Sequence, residues 1–143
     1  MKLSPLVADI GLIGRAAAEA GADALTVANT YPAMAVDVRT QKSLLGNLTG
    51  GLSGPAIKPI TLRLVWEVKK AVGIPVIGLG GIETVEDVLE YLFVGASAMQ
   101  VGTASFADPR ASERLLDALT DALVRLKCND ISSLHDKFKA KNS

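Results

Sequence analysis

Apolar residues recur along this chain at two spacings, and the alternation between them lays out its elements. Val7, Ile10, Ile13, Ala17 and Ala20 fall at helical spacing, with Asp9 near the start and Gly21 as a natural stop, which predicts a helix over 7–20. Residues 24–28, Ala-Leu-Thr-Val-Ala, form a short apolar run of the buried-strand type. A second amphipathic stretch, 58–72, places Ile60, Leu64, Val65 and Val68 on one face, ends at Gly73 and leads into a strand over 75–79. Thr84 then caps a helix carrying Val85, Val88, Leu89 and Leu92, with Glu86 and Asp87 in its favourable first turn and Gly95 at its end. A last strand is expected over 98–101, a helix over 111–126 and a short polar-faced helix over 131–141. Lys2-Leu3-Ser4-Pro5 reads as the tail of a strand whose pairing stops at the proline. The stretch 29–55 is irregular, with Pro32, Gly46-Asn47, Gly50-Gly51 and Gly54-Pro55, and so long a loop in a compact α/β domain is usually functional.

Strand and helix alternate four times, which implies a parallel sheet with right-handed crossovers. Residues 20–25 faintly echo 94–99: each is a helix end, a tight turn and a buried strand. The last two strands end in glycine and open into a helix, at Gly78-Leu79-Gly80-Gly81-Ile82 and at Val101-Gly102-Thr103-Ala104. Glycine lets the backbone approach an anion closely, and the N–H groups of a first helical turn point at it. Two such turns on neighbouring strands could share one phosphate or serve only as tight β–α turns, and their place at strand C-terminal ends points to a (β/α) barrel. A complete barrel takes eight strands and about 250 residues, so the chain is expected to hold about four parallel β/α units, the C-terminal half of a TIM barrel. The expected organisation is one partial-barrel domain over 1–143, with a polar C-terminal tail helix over 127–143.

Charge and composition narrow the partners. Fifteen basic residues balance fifteen acidic ones with no basic stripe, which argues against nucleic acid and anionic membrane surfaces. Hydrophobic residues make up 49%, yet no run approaches the roughly 20 residues of a membrane span, and the first residues carry no apolar signal core. A cytoplasmic location is therefore expected. The single cysteine, Cys128, excludes an internal disulfide and a multi-cysteine metal site, and no metal is expected. Helix N-terminal charge explains Glu83, Glu86 and Asp87 better than a carboxylate pair does. His135 reads as a surface residue of the tail, and Trp66 as helix packing or a subunit contact.

Four stretches together carry a resemblance to a known family. They are Asn29-Thr30-x-x-Ala-Met-Ala-Val-Asp, Gly50-Gly51-Leu52-Ser53-Gly54-Pro55-Ala56-Ile57-Lys58-Pro59, Gly78-x-Gly80-Gly81-Ile82 with Glu86-Asp87, and Gly95-Ala96-Ser97-Ala98-Met99-Gln100-Val101-Gly102-Thr103-Ala104. They resemble dihydroorotate dehydrogenase, and most closely the catalytic subunit of its NAD-linked two-subunit form, class 1B. That family is a (β/α)₈ barrel that holds FMN at its C-terminal face and oxidises dihydroorotate to orotate in pyrimidine synthesis. The resemblance implies that Lys2 stabilises charge on the reduced flavin and that Ala28 contacts flavin through its backbone. It implies that Asn29 and Thr30 hydrogen-bond the polar edge of the substrate pyrimidine. Gly54, Gly80, Gly81, Gly102 and Thr103 would cradle FMN and its phosphate. The physics agrees, since a lysine beside a flavin favours its anionic reduced form and amide-rich nests suit a phosphate dianion. An iron–sulfur FAD subunit that passes electrons to NAD is the implied partner.

The resemblance covers the C-terminal half of the family's barrel. The family's catalytic base, a cysteine in this type, lies in the other half, so no catalytic residue is expected here and Cys128 is not that base. Two readings stand beside the main one: an FMN- or phosphate-binding half-barrel without turnover, and another FMN barrel such as dihydropyrimidine dehydrogenase. An open half-barrel leaves sheet edges and an apolar inner face uncovered, on strands that include Val27, Ile77 and Val101. Self-association, as a homo-oligomer or a rearranged pair, is the expected consequence.

Overall fold

The computed structural model describes residues 1–135, 138 and 139. Helix α1 (Ile10–Glu19) starts where Asp9 leaves the helical region and its carboxylate accepts the Leu12 amide at 2.9 Å. Strand β1 (Leu25–Val27) follows, and then an excursion holding the short strands β2 (Tyr31–Ala33), β3 (Val36–Asp37), β4 (Lys42–Ser43) and β5 (Gly50–Leu52). A 3₁₀ turn (Pro55–Ile57) leads into helix α2 (Lys58–Ala71), strand β6 (Val76–Leu79), helix α3 (Val85–Phe93) and strand β7 (Ala98–Gln100). The chain closes with a one-turn helix α4 (Ala104–Ala107), helix α5 (Ala111–Arg125) and a 3₁₀ turn (Ile131–Leu134).

The central sheet is parallel in the order β1-β6-β7, with Leu25 beside Val76 and Ile77 beside Ala98. On the outer side of β1, the strand tail expected at the N-terminus contributes a single bridge, Lys2 to Thr26. The Leu3 amide donates to the Thr26 carbonyl at 2.9 Å, and Pro5, lacking an N–H, cannot continue the ladder. The sheet is therefore three strands plus one bridge rather than four full strands. Leu25, Val27, Val76 and Gly78 point to one face, where Val65 and Val68 of α2 and Tyr91 and Leu92 of α3 cover them completely. Thr26, Ile77 and Leu79 point to the other face and stay half-buried. Val27 lies on the covered face, because strand alternation groups it with Leu25.

Two further expectations are corrected. The stretch 29–55 is not an irregular loop. Strands β2 and β5 pair antiparallel, as do β3 and β4, giving two small ribbons. Burial alternates residue by residue from Tyr31 to Val38, the signature of extended chain. Gly51 faces Pro32 in that pairing and leaves room for the Thr30 side chain, which a Cβ at 51 would strike. The tail helix over 127–143 is, among the described residues, one 3₁₀ turn that buries Leu134, capped by the Asp130 carboxylate on the Ser133 amide at 2.9 Å. Its expected continuation at 136, 137 and 140–143 lies outside the described residues. No helix among the described residues is long and apolar enough to cross a membrane.

Candidate functional site

The C-terminal ends of β1, β6 and β7 open on a cleft of about 290 Å³, just below the range usual for ligand sites. All nine residues singled out in the sequence line it: Lys2, Ala28, Asn29, Thr30, Gly54, Gly80, Gly81, Gly102 and Thr103. They come from five separate segments. Lys2 is placed by its bridge to Thr26. Ala28 ends β1 after a cis Val27–Ala28 peptide, and its amide donates to the Leu79 carbonyl at 3.2 Å. The Asn29 carboxamide oxygen accepts the Thr30 amide at 2.9 Å, so in this form of the protein it serves its own turn.

The glycines bring backbone rather than side chains to the cleft. Gly80 and Gly81 have φ values of 152° and 68°, which turns the chain sharply from β6 toward α3. At Gly81 a Cβ would lie 2.8 Å from the Gly54 carbonyl oxygen and 3.1 Å from the Lys58 nitrogen, so this turn rests directly on the start of α2. Space opens beside Gly102. Among the described residues, the N–H groups of Gly81, Gly102 and Thr103 donate to no other protein group. The Thr103 hydroxyl donates to Ser53 Oγ at 2.7 Å, stitching the two glycine-bearing segments together.

Charge beneath the turn holds it in place. Asp87 accepts the amides of Glu83 at 2.9 Å and Thr84 at 2.8 Å, and the Thr84 hydroxyl accepts the Asp87 amide, a reciprocal cap on α3. Lys58 Nζ reaches Asp87 at 2.6 Å and Glu90 at 2.9 Å. Burial works to raise the Asp87 carboxyl, but the Lys58 ammonium and the two amides outweigh it and hold it below its usual range. The hydrogen bonds to Asp87 and Glu90 raise the Lys58 ammonium in turn. This bears out a structural role for Asp87 at the helix start.

Several cleft residues were not singled out from the sequence. Ser53 adjoins Gly54 and was marked only as part of its run. Ile57, Leu79 and Ile82 give the cleft an apolar floor. Phe106, on α4, is 92% exposed at the rim, and a helix of one turn shows no periodicity by which to find it. Glu83 is the second titratable side chain in the lining, beside Lys2. Cys128 is not in the lining; its thiol donates to the Leu126 carbonyl at 3.6 Å. His135 is half-buried rather than a surface residue, with its Nε2 enclosed. Among the described residues no cluster of His, Cys, Asp or Glu is arranged to hold a metal. Chemically the cleft offers free amides and hydroxyls for an anion, an apolar floor for a flat ring and a polar edge at Asn29 and Thr30.

A parallel β/α layer with its cleft at the strand C-terminal ends, and a short extra helix after the last strand, defines a TIM-barrel-like α/β protein. The chain belongs to the dihydroorotate dehydrogenase family, whose family model matches residues 1–123. It is 50% identical over 139 residues to the catalytic subunit of dihydroorotate dehydrogenase B (NAD(+)) from Thermodesulfovibrio yellowstonii, covering 97% of this chain and 46% of that relative. The corresponding subunit from Citrifermentans bemidjiense is 52% identical over 134 residues, covering 94% of this chain and 44% of that relative. A crystal structure of the dehydrogenase from Eimeria tenella in complex with ferulenol superposes with a TM-score of 0.77 at 28% identity, over 95% of this chain and 37% of that one. The chain spans less than half the length of the curated relatives it matches.

Proposed function

We propose that this chain carries the FMN-phosphate site and part of the substrate edge of a class 1B dihydroorotate dehydrogenase, as about four β/α units of its barrel. The carrying observation is the convergence of Gly54, Gly80-Gly81 and Gly102-Thr103 on one cleft with donors left unpaired. Unpaired amides and the Thr103 and Ser53 hydroxyls suit a phosphate dianion, and the apolar floor suits a flavin ring. When bound, FMN supplies the hydride acceptor for oxidation of dihydroorotate to orotate. Lys2 stabilises negative charge on the ring, and Ala28 contacts it through the backbone. Asn29 turns its carboxamide from Thr30 to the polar edge of the pyrimidine, beside the Thr30 hydroxyl. In the complete enzyme an iron–sulfur FAD subunit carries electrons to NAD, in the cytoplasm, and the uncovered surface of this chain is closed by self-association.

A second reading, flavin or phosphate binding without turnover, is favoured by the cleft's titratable set, Lys2 and Glu83, which includes no cysteine. Titrating the purified chain with FMN and then adding dihydroorotate without oxygen separates the two. Saturable binding near one FMN per chain, lost in Gly81→Ala, is the expected result; bleaching by dihydroorotate selects the dehydrogenase reading, and binding without bleaching the second. No binding by the unmodified chain sinks both.

A further inference from the structure

Behind the glycine turn, outside the cleft lining, stand the hydroxyl groups of Tyr31, Thr61 and Tyr91. The Tyr31 phenol lies 3.1 Å from Thr61 Oγ1. The Tyr91 phenol donates to the Gly80 carbonyl at 2.7 Å. Thr61 and Tyr91 are both completely buried. A carbonyl only accepts, so Tyr91 donates to Gly80, and within the Tyr31–Thr61 pair either hydroxyl can donate to the other. Burial raises the Tyr91 phenol above its usual value, so it keeps its proton at neutral pH.

Tyr31 and Gly80 adjoin different parts of the cleft. Tyr31 directly follows Asn29 and Thr30, and Gly80 directly precedes Gly81. The same residues also shape the turn. A Cβ at Gly80 would meet Thr61 Oγ1 at 2.9 Å, and one at Gly78 would meet the Tyr91 ring at 2.5 Å. We propose that Tyr91, Thr61 and Tyr31 are positioning residues that lock the Gly80-Gly81 turn in its anion-receiving form and couple it to the Asn29-Thr30 segment. The inference rests on reading the cleft as an FMN site.

The test compares FMN with riboflavin, which lacks the phosphate, on the full chain. Tyr91→Phe keeps the ring and removes the hydroxyl; it is expected to weaken FMN about tenfold and leave riboflavin unchanged. Thr61→Ser, which preserves the hydroxyl bonded to Tyr31, keeps the unmodified preference. Tyr31→Phe is expected to move the Gly81 amide resonance in a ¹⁵N–¹H spectrum. Equal weakening of both flavins by Tyr91→Phe means lost packing and overturns the inference, as does an unmoved Gly81 resonance in Tyr31→Phe. An unmodified chain that binds neither flavin overturns the reading of the cleft itself and this inference with it. A chain that prefers FMN, and keeps that preference in Tyr91→Phe, overturns this inference alone.

Discussion

The parallel layer and the excursion that leaves it obey the same two-residue alternation with opposite results. In β1 and β6 the apolar row, Leu25, Val27 and Val76, is completely buried under α2 and α3. From residue 31 to 38 the half-buried row is Tyr31, Ala33, Ala35 and Asp37, while Pro32, Met34, Val36 and Val38 face outward. Val38 is 85% exposed, and Leu44 and Leu48 nearby are also open to solvent. Alternation alone therefore reports that a segment is extended, not which of its faces is covered. Covering depends on what packs there, and among the described residues no helix covers the outward apolar side of the two small ribbons. Their apolar residues should contribute far less to the stability of this chain than equally apolar residues under the helices.

Three measurements bear on that contrast. The largest effect belongs to the covered layer: Leu92→Ala, at a completely buried position, should lower the unfolding free energy by about 3 kcal/mol in a urea titration. Next comes the charged support between α2 and α3. Asp87→Asn should cost about 1–3 kcal/mol near neutral pH, the value of a buried hydrogen bond to a charged partner. Because the folded carboxyl titrates below its ordinary 3.8, its contribution is present above that value and is lost as acid takes pH down through the folded pKa. The gap between Asp87→Asn and the unmodified chain should close in acid-titrated urea midpoints. At the alkaline end, Lys58 titrates above its ordinary 10.5, so its contribution is full below that value and fades as pH rises through the folded pKa. The smallest effect belongs to the excursion: Leu48→Ser should shift the urea midpoint by no more than about 0.5 kcal/mol. A Leu48→Ser loss as large as that of Leu92→Ala would erase the contrast between the two regions.

The covered layer was the most legible part of the sequence, for a physical reason. Helices α1, α2, α3 and α5 each bury one face against a neighbour, so their apolar spacing and their caps, Asp9 and Thr84, stand out without any tertiary knowledge. Of the nine cleft residues, Gly80, Gly81, Gly102 and Thr103 were legible from glycine turns at strand ends, and Lys2, Ala28, Asn29, Thr30 and Gly54 only through the family resemblance. The ribbons were not, since strands of two or three residues leave too short a pattern to stand out. The same holds for Tyr91. At its helical position it reads as one more core aromatic, and only the fold brings its hydroxyl to the Gly80 carbonyl.

The registers of the parallel sheet also bear on the order in which the chain assembles. Pairing Ile77 with Ala98 closes a loop of about twenty residues, whereas pairing Leu25 with Val76 closes one of about fifty, an entropic difference of roughly 0.8 kcal/mol. The shorter loop is also spanned by α3, whose reciprocal cap forms locally. The unit β6–α3–β7 is thus the cheaper one to nucleate, and β1 joins it later with Asn29 and Thr30 at its end. The half of the cleft built from Gly80-Gly81 and Gly102-Thr103 takes shape first during folding, and the polar edge is delivered to it.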